Sequence, residues 1–441
     1  MRSPAVALPR IQPSTRSQLP THELVPFSNT ISMALSFLDY PPEIREQIYS
    51  DVLSTAVSKV ESDKPDEPAR YEFQLDILLT CHQIHREAKK VFQDNVFIKI
   101  TTPWPESIEH IRSEGKVPSV TTGEKAELFR DFHLWVFIDT PGSPYPSRHG
   151  RFSMLISLED LESFNRFWHF SNLNHHGLNQ QLRLKLTLQD PHVRDRKLPK
   201  ALQTRLLLPF GMIKDLDTFT VHGSKLLPSV DEALKKERAI PDPTPEQCLE
   251  KGFALKDAGN ALLKLGLYRQ ALQKYIDSFG AIHIYVSGRV RTVHCDGFYI
   301  RDLNSGTYKG QRADYARMIL RVQLVANVVF AYLKLEDYSE AHFWGKRSIV
   351  LFRHSLTGDE SDEIGDDGQA WLNQTWPVSF PGHDAMGKIF YRTALASRAL
   401  GKVADVKTLM KAAAVYLPND EVVQKEMRAL EEKQGVASQK V

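Results

Sequence analysis

The spacing of apolar positions changes twice along this chain, and each change predicts a different architecture. Over residues 34 to 97 the period is helical. Ile44, Ile48, Tyr49, Val52 and Leu53 recur at three- and four-residue intervals behind Pro41 and Pro42, which set the entry to a helix. A second run carries Leu78, Leu79, Ile84, Ala88, Val91 and Phe92, and the charged stretch 59 to 70 separates the two. Two or three short helices packed together are expected. Between Phe132 and Gly223 alternation takes over, in Leu134, Val136 and Ile138, in Leu182, Leu184, Leu186 and Leu188, and in Phe219 and Val221. That period of two predicts strands. Among them, residues 158 to 170 place Leu161, Phe164, Phe167 and Trp168 at helical spacing, so an α/β layer is expected rather than a sandwich. A linker or connecting helix, 228 to 246, with Pro241, Pro243 and Pro245, marks a boundary near residue 240.

Past Gly252 the helical period returns and the pattern repeats. Lys256, Asp257, Ala258, Gly259, Asn260 and Ala261, followed by Gly266, Tyr268, Ala271 and Tyr275, form one unit. Asn327, Ala331, Tyr332, Leu335, Tyr338 and Ala341 form a second, with Glu336 in place of the turn glycine. Lys388, Tyr391, Arg392, Ala394, Ala396, Leu400, Gly401, Ala413 and Pro418 form a third. These units resemble tetratricopeptide repeats, pairs of antiparallel helices about 34 residues long, in which small residues sit where helices touch. The amphipathic stretch 420 to 431 suits a capping helix. Insertions at about 286–321 and 356–386 interrupt the array. In the first, residues 315 to 321 read as an extension of the first helix of repeat two; the second carries Asp359, Glu360, Asp362, Glu363, Asp366 and Asp367.

The expected fold is therefore multidomain and mainly α: a disordered tail at 1–32, a helical region at 33–100, a mixed α/β region at 101–240 and a repeat domain at 245–435. In the second of these, Tyr40-Pro41-Pro42-Glu43-Ile44-Arg45, followed by Leu78-Leu79-Thr80-Cys81-His82-Gln83-Ile84-His85-Arg86-Glu87-Ala88, resembles the fungal F-box-like family. The resemblance covers about 60 residues. It implies a small helical motif that docks on the linker subunit of a cullin-type ubiquitin ligase, with Pro41, Pro42, Ile44 and Ile48 as docking candidates. The family also has a strand-rich region ending in a Leu-Pro-Phe segment, here Leu208-Pro209-Phe210.

Composition narrows the function classes. Fifty-six Lys and Arg against 54 Asp and Glu leave a net charge of +2, which offers no bulk attraction for nucleic acid. Three cysteines, Cys81, Cys248 and Cys295, lie far apart in no paired spacing, so a reducing cytoplasmic or nuclear setting is expected, without disulfides or structural zinc. His82 and His85 beside Cys81 read as a helix-surface pair, not a metal site. No apolar run approaches the roughly 18 residues that span a bilayer. The segment from Gly382 to Lys388 approximates a P-loop, but Ile389 stands where magnesium needs Ser or Thr. With no nucleophile elbow or HExxH motif either, a noncatalytic protein without cofactors is expected.

Five positions carry the sharpest expectation. The repeats resemble those of cochaperones, whose clamp grips the two carboxylates of the terminal Asp in a chaperone's Glu-Glu-Val-Asp tail. Carried over position by position, the resemblance assigns Lys256 and Asn260 to the first repeat, Asn327 to the second, and Lys388 and Arg392 to the third. The i, i+4 spacing of each pair puts both side chains on one helical face. Carboxylates only accept hydrogen bonds, so cations and amide N–H groups are suitable partners, Arg392 gripping bidentately. The partner so implied is the acidic C-terminal peptide of a heat-shock chaperone. A ligase substrate receptor and a scaffold with a vestigial clamp remain open, as does an acidic insertion that competes for the groove.

Overall fold

The computed structural model describes residues 36–61, 67–141, 152–193, 196–223, 226–357 and 379–438. The expected tail at 1–32 and the acidic run 359–367 lie outside them. The chain divides into two units, Met1–Ile48 and Tyr49–Val441. In the first, a 3-10 turn at Phe37–Asp39 is closed by Ser36 and Asp39. A helix, Pro42–Leu53, then starts with proline at its first position, where a missing N–H costs nothing. Arg45 donates to the carbonyls of Leu38 and Tyr40, which ties the turn to the helix.

The second unit opens with the end of that helix, whose Tyr49 and Leu53 are buried. The two ends of the charged stretch after it pair as short antiparallel strands, β1 (Lys59–Val60) and β2 (Arg70–Tyr71). A helix at His82–Gln93 follows, and then β3 (Phe97–Thr102), so Phe97 opens a strand where a helical region was expected. With β4 (Thr121–Thr122), β5 (Leu134–Asp139), β6 (Phe152–Ser157), β7 (Arg183–Leu188) and β8 (Thr218–Gly223) it builds a mixed six-stranded sheet in the order β4-β6-β3-β5-β7-β8. β3 runs parallel to β5, and β7 to β8; the other pairs are antiparallel.

All six residues of β3 are buried because both faces of the sheet are covered there. Ile98 and Ile100 join the larger core with Leu161, Phe164, Phe167 and Trp168 of the helix Leu161–Asn174. Phe97 points into a second cluster with Phe73, Phe92 and Phe129. The helical segment after residue 49 is thus a layer on the sheet. Asp160 pins it: this carboxylate, 2% exposed, accepts from Tyr71 at 2.5 Å and pairs with Lys59 at 2.9 Å.

The helix Pro228–Ala239 leads into the C-terminal array, which is tetratricopeptide-like. Repeat one pairs an A helix, Pro245–Lys264, with a B helix, Tyr268–Ala281. Repeat two pairs Ala313–Lys334 with Tyr338–Thr357, and repeat three His383–Ala399 with Val403–Tyr416. Glu421–Ser438 caps the end. Each A helix packs on its own B helix and on the next A helix. The turns are equivalent: Gly266, Glu336 and Gly401 have φ of 75, 60 and 72°, the left-handed conformation that closes a helix C-terminus. Gly387, the last glycine of the P-loop-like segment, lies inside a helix. A Cβ there would stand 2.5 Å from Leu417, so this glycine allows close helix packing and does not cradle a phosphate.

The first insertion packs instead of looping out. It forms β9 (Ile284–Ser287), β10 (Val290–Val293) and a helical turn, Asp296–Tyr299. The turn docks on the central region: the Gly297 amide donates to Asn174 at 2.8 Å, and Cys295 to the Phe170 carbonyl. Phe170 and Leu173 enter the array core there. Arg317, 5% exposed, joins the insertion to the repeat-two A helix through the carbonyls of Ile282, His283 and His294 and an ion pair with Asp296. An 18-residue window of that 22-residue A helix has a mean hydropathy of 1.4, apolar enough by length and composition to cross a membrane, and 61% of the window is buried in this core. Its apolar character serves contacts with helices on several sides.

Candidate functional site

The A helices bring most of the five clamp positions onto the A helix of repeat two. Asn260 and Asn327 meet directly, the Asn327 side chain donating to Asn260 Oδ1 at 2.8 Å. The same oxygen accepts from the Tyr275 hydroxyl at 3.0 Å. Tyr275 is fully buried against Gly259, where a Cβ would stand 2.5 Å from its ring. Burial pushes the Tyr275 phenol up to about 12, so it remains a donor at neutral pH. With both lone-pair directions of Asn260 Oδ1 engaged, its NH₂ group is left for a ligand.

Lys256 reaches Gln323, one turn before Asn327, at 2.9 Å, and lies 5.0 Å from the Phe253 ring centroid. Arg392 crosses from repeat three, donates to the Ala326 carbonyl and lies 4.5 Å over the Phe330 ring. Burial lowers its guanidinium to about 10, which still leaves it charged at neutral pH. One N–H is committed, and four remain. Lys388 is exposed and makes no hydrogen bond or ion pair among the described residues. Four of the five are therefore linked through Gln323, Ala326, Asn327 and Phe330, while Lys388 stands free at one end.

Two cavities flank this row. One of about 470 Å³ is lined by Phe253, Lys256, Asp257, Tyr308 and Gln323, the loop after Leu303 forming a wall. Tyr308 stacks on Phe253 at 5.1 Å. The other, about 380 Å³, is bounded by Phe330, Leu333, Lys388, Tyr391, Arg392 and Asp420. Carboxylates border both cavities: Glu246, Glu250 and Asp257 line the first, where Glu246 accepts from the Asn304 amide at 2.9 Å and Asp257 pairs loosely with Lys256 at 3.6 Å, and Asp420, in the second, is used by the amides of Val422 and Val423. The second cavity presents the cations Lys388 and Arg392 beside apolar surface. Such a surface suits a peptide that carries carboxylates and small apolar side chains.

Gln323, Phe330 and Tyr275 were not among the sequence candidates. Gln323 and Phe330 had a signal, since they lie four before and three after Asn327 on one helical face. Tyr275 had none beyond its place in the repeat. No group of three or more metal-binding side chains occurs among the described residues; His85 instead contacts the Leu78 carbonyl at 2.7 Å. Pro41, Pro42 and Ile44 are exposed and Ile48 half-buried.

No protein-family model matches this sequence, and no curated protein matches it. Among solved structures, the chain is similar to the C-terminal TPR-containing domain of an FK506-binding protein of Plasmodium falciparum, at 15% identity over 45% of this chain and 97% of that one. The TM-score is 0.27, a superposition too loose to say more about this chain than its own helix pairs do.

Proposed function

We propose that this protein is a noncatalytic adaptor whose repeat array binds the C-terminal end of an acidic peptide, that of a cytosolic heat-shock chaperone. The observation that carries the reading is the bonded Asn260–Asn327 pair with Lys256 and Arg392 anchored on the same helix on either side of it. A terminal Asp brings two carboxylates; the asparagine NH groups and Lys256 suit one, Arg392 and Lys388 the other. The preceding valine suits the apolar wall at Phe330 and Tyr391. Cytoplasm or nucleus is the setting this partner requires. Titration of a Glu-Glu-Val-Asp peptide into full-length protein tests it, with Lys388→Ala and Arg392→Ala as variants. Binding that is indifferent to both changes would refute the clamp.

A second reading has its own observation. Leu38, Tyr40 and Ile44 are 37, 42 and 46% exposed beside Pro41 and Pro42. Exposed apolar side chains on a short helix and its entry suit docking on a partner, here the linker subunit of a cullin ligase. Copurification of that subunit, abolished by Ile44→Asp, is the outcome this reading requires. A wild-type chain that fails to retain the linker removes it. The two readings are compatible: one chain could bring a chaperone to a ligase.

A further inference from the structure

Lys256 and Lys388 hold equivalent places in repeats one and three, four residues before Asn260 and Arg392, yet only the first is held in position. Lys388 is exposed and makes no hydrogen bond or ion pair among the described residues. Lys256 donates to Gln323 at 2.9 Å and lies 5.0 Å from the Phe253 ring centroid. Three residues before Lys388 stands Ala385, where repeat one has Phe253. That ring is covered in turn by the first insertion. Tyr308 stacks on it, with centroids 5.1 Å apart and planes 22° from parallel. The loop that carries Tyr308 is closed at its base and pinned to the repeat-one A helix. Leu303 is buried in the array core, its amide donates to the Gln311 carbonyl at 2.9 Å, and the Gly310 amide donates to the Leu303 carbonyl at 2.8 Å. The Asn304 amide donates to Glu246 at 2.9 Å.

We propose that Tyr308 is a positioning residue for Lys256, and that the first insertion thereby shapes the repeat-one end of the groove, an inference that rests on the groove being a peptide site. A lysine ammonium is a compact charge on a flexible four-carbon stem, and ordering that stem at the moment of binding weakens affinity. Phe253, fixed under Tyr308, gives the side chain an aromatic surface, and Gln323 holds its tip, so the order precedes the ligand. The competing partner is Asp257. Its carboxylate lies 3.6 Å from the ammonium, against 2.8 Å in the direct ion pair of Arg289 and Glu340. Released from the ring, Lys256 closes on Asp257, and a ligand carboxylate then meets a charge already neutralised. Tyr308 acts through its ring, because its hydroxyl makes no hydrogen bond among the described residues.

Titration of the full-length protein with a peptide ending in Glu-Glu-Val-Asp reads the effect. Tyr308→Phe keeps the stack and should bind as the wild type does, whereas Tyr308→Ala should bind about three- to tenfold more weakly. Adding Asp257→Asn to Tyr308→Ala should restore most of the loss, which a damaged fold would not allow. In a Lys256→Met background, Tyr308→Ala should have no effect. A second measurement needs no peptide. Reductive methylation with isotopically labelled formaldehyde turns each lysine into a dimethylammonium that keeps its charge. The NMR signal of Lys256, identified by its loss in Lys256→Arg, should be displaced from those of solvent lysines by the ring current of Phe253. It should stay displaced in Tyr308→Phe and return towards them in Tyr308→Ala. A wild type that does not bind the peptide would refute the clamp, and the NMR measurement then decides the role of Tyr308 by itself. Unchanged affinity in Tyr308→Ala, a loss that Asp257→Asn leaves in place, or a Lys256 signal that Tyr308→Ala does not move would overturn the proposal.

Discussion

Changing Tyr275 to Phe removes a single oxygen beneath the polar row and leaves the ring packed on Gly259. The hydroxyl donates to Asn260 Oδ1 at 3.0 Å, and that oxygen keeps its second donor, Asn327, at 2.8 Å. No buried acceptor is orphaned, so the loss of stability should be that of one ordinary hydrogen bond, about 0.5–1.5 kcal/mol. The functional effect is indirect. With one of its two anchors gone, the Asn260 amide can turn, and peptide affinity should fall about three- to tenfold, or roughly 0.7–1.4 kcal/mol. Urea unfolding gives the first quantity and peptide titration the second. A double-mutant cycle with Asn260→Ala then separates orientation from packing. If Tyr275→Phe costs as much affinity in the Asn260→Ala background as in the wild type, the hydroxyl does not act through Asn260 and the reasoning fails.

Further outcomes follow from single contacts. Glu336 holds a left-handed φ of 60° at a turn where the other two repeats use glycine; Glu336→Gly should stabilise the protein by about 0.5–1 kcal/mol in denaturant titration, and a loss would mean the side chain makes a contact that matters. Gly387→Ala would drive a methyl to within 2.5 Å of Leu417 and 2.9 Å of Tyr416, so destabilisation of about 1–3 kcal/mol is expected; an unchanged midpoint would show that the helices can separate. His133, 7% exposed, is held down to about 4 mainly by burial. The unfolded chain therefore binds more protons than the folded one between about pH 6.5 and 4, and stability must fall as pH drops through that window. His133→Gln should flatten this slope in unfolding experiments at pH 7 and pH 5, and an identical slope would mean His133 is not held neutral.

How much of this could be read from the sequence depended on whether an element keeps one face wet. β5 and β7 were legible because their alternate residues face different surroundings, the burial of β7 alternating along Arg183–Leu188. β3 and β6 are covered on both sides, so Phe97–Thr102 and Phe152–Ser157 carry no alternation, and β3 was absorbed into the helical region before it. The array was legible from small residues at helix contacts and from positions equivalent to Gly266. Its insertion was not, because much of what orders residues 284–312 lies far away in sequence, in Phe170 and Asn174. The five polar positions could be chosen by spacing alone. Their bonding could not: that Asn260 is held by Tyr275 and Asn327, and that Arg392 rests on Phe330, depends on how the repeats stack.

The central claim is that the array grips a free acidic terminus. Calorimetric titration of the full-length protein with a peptide ending in Glu-Glu-Val-Asp, beside the same peptide with its C-terminus amidated, tests it most directly. The clamp predicts an affinity on the order of micromolar for the free acid and a loss of about tenfold or more on amidation, since one charge-assisted group is removed. Equal affinity for the two peptides, or no binding of either, would contradict it.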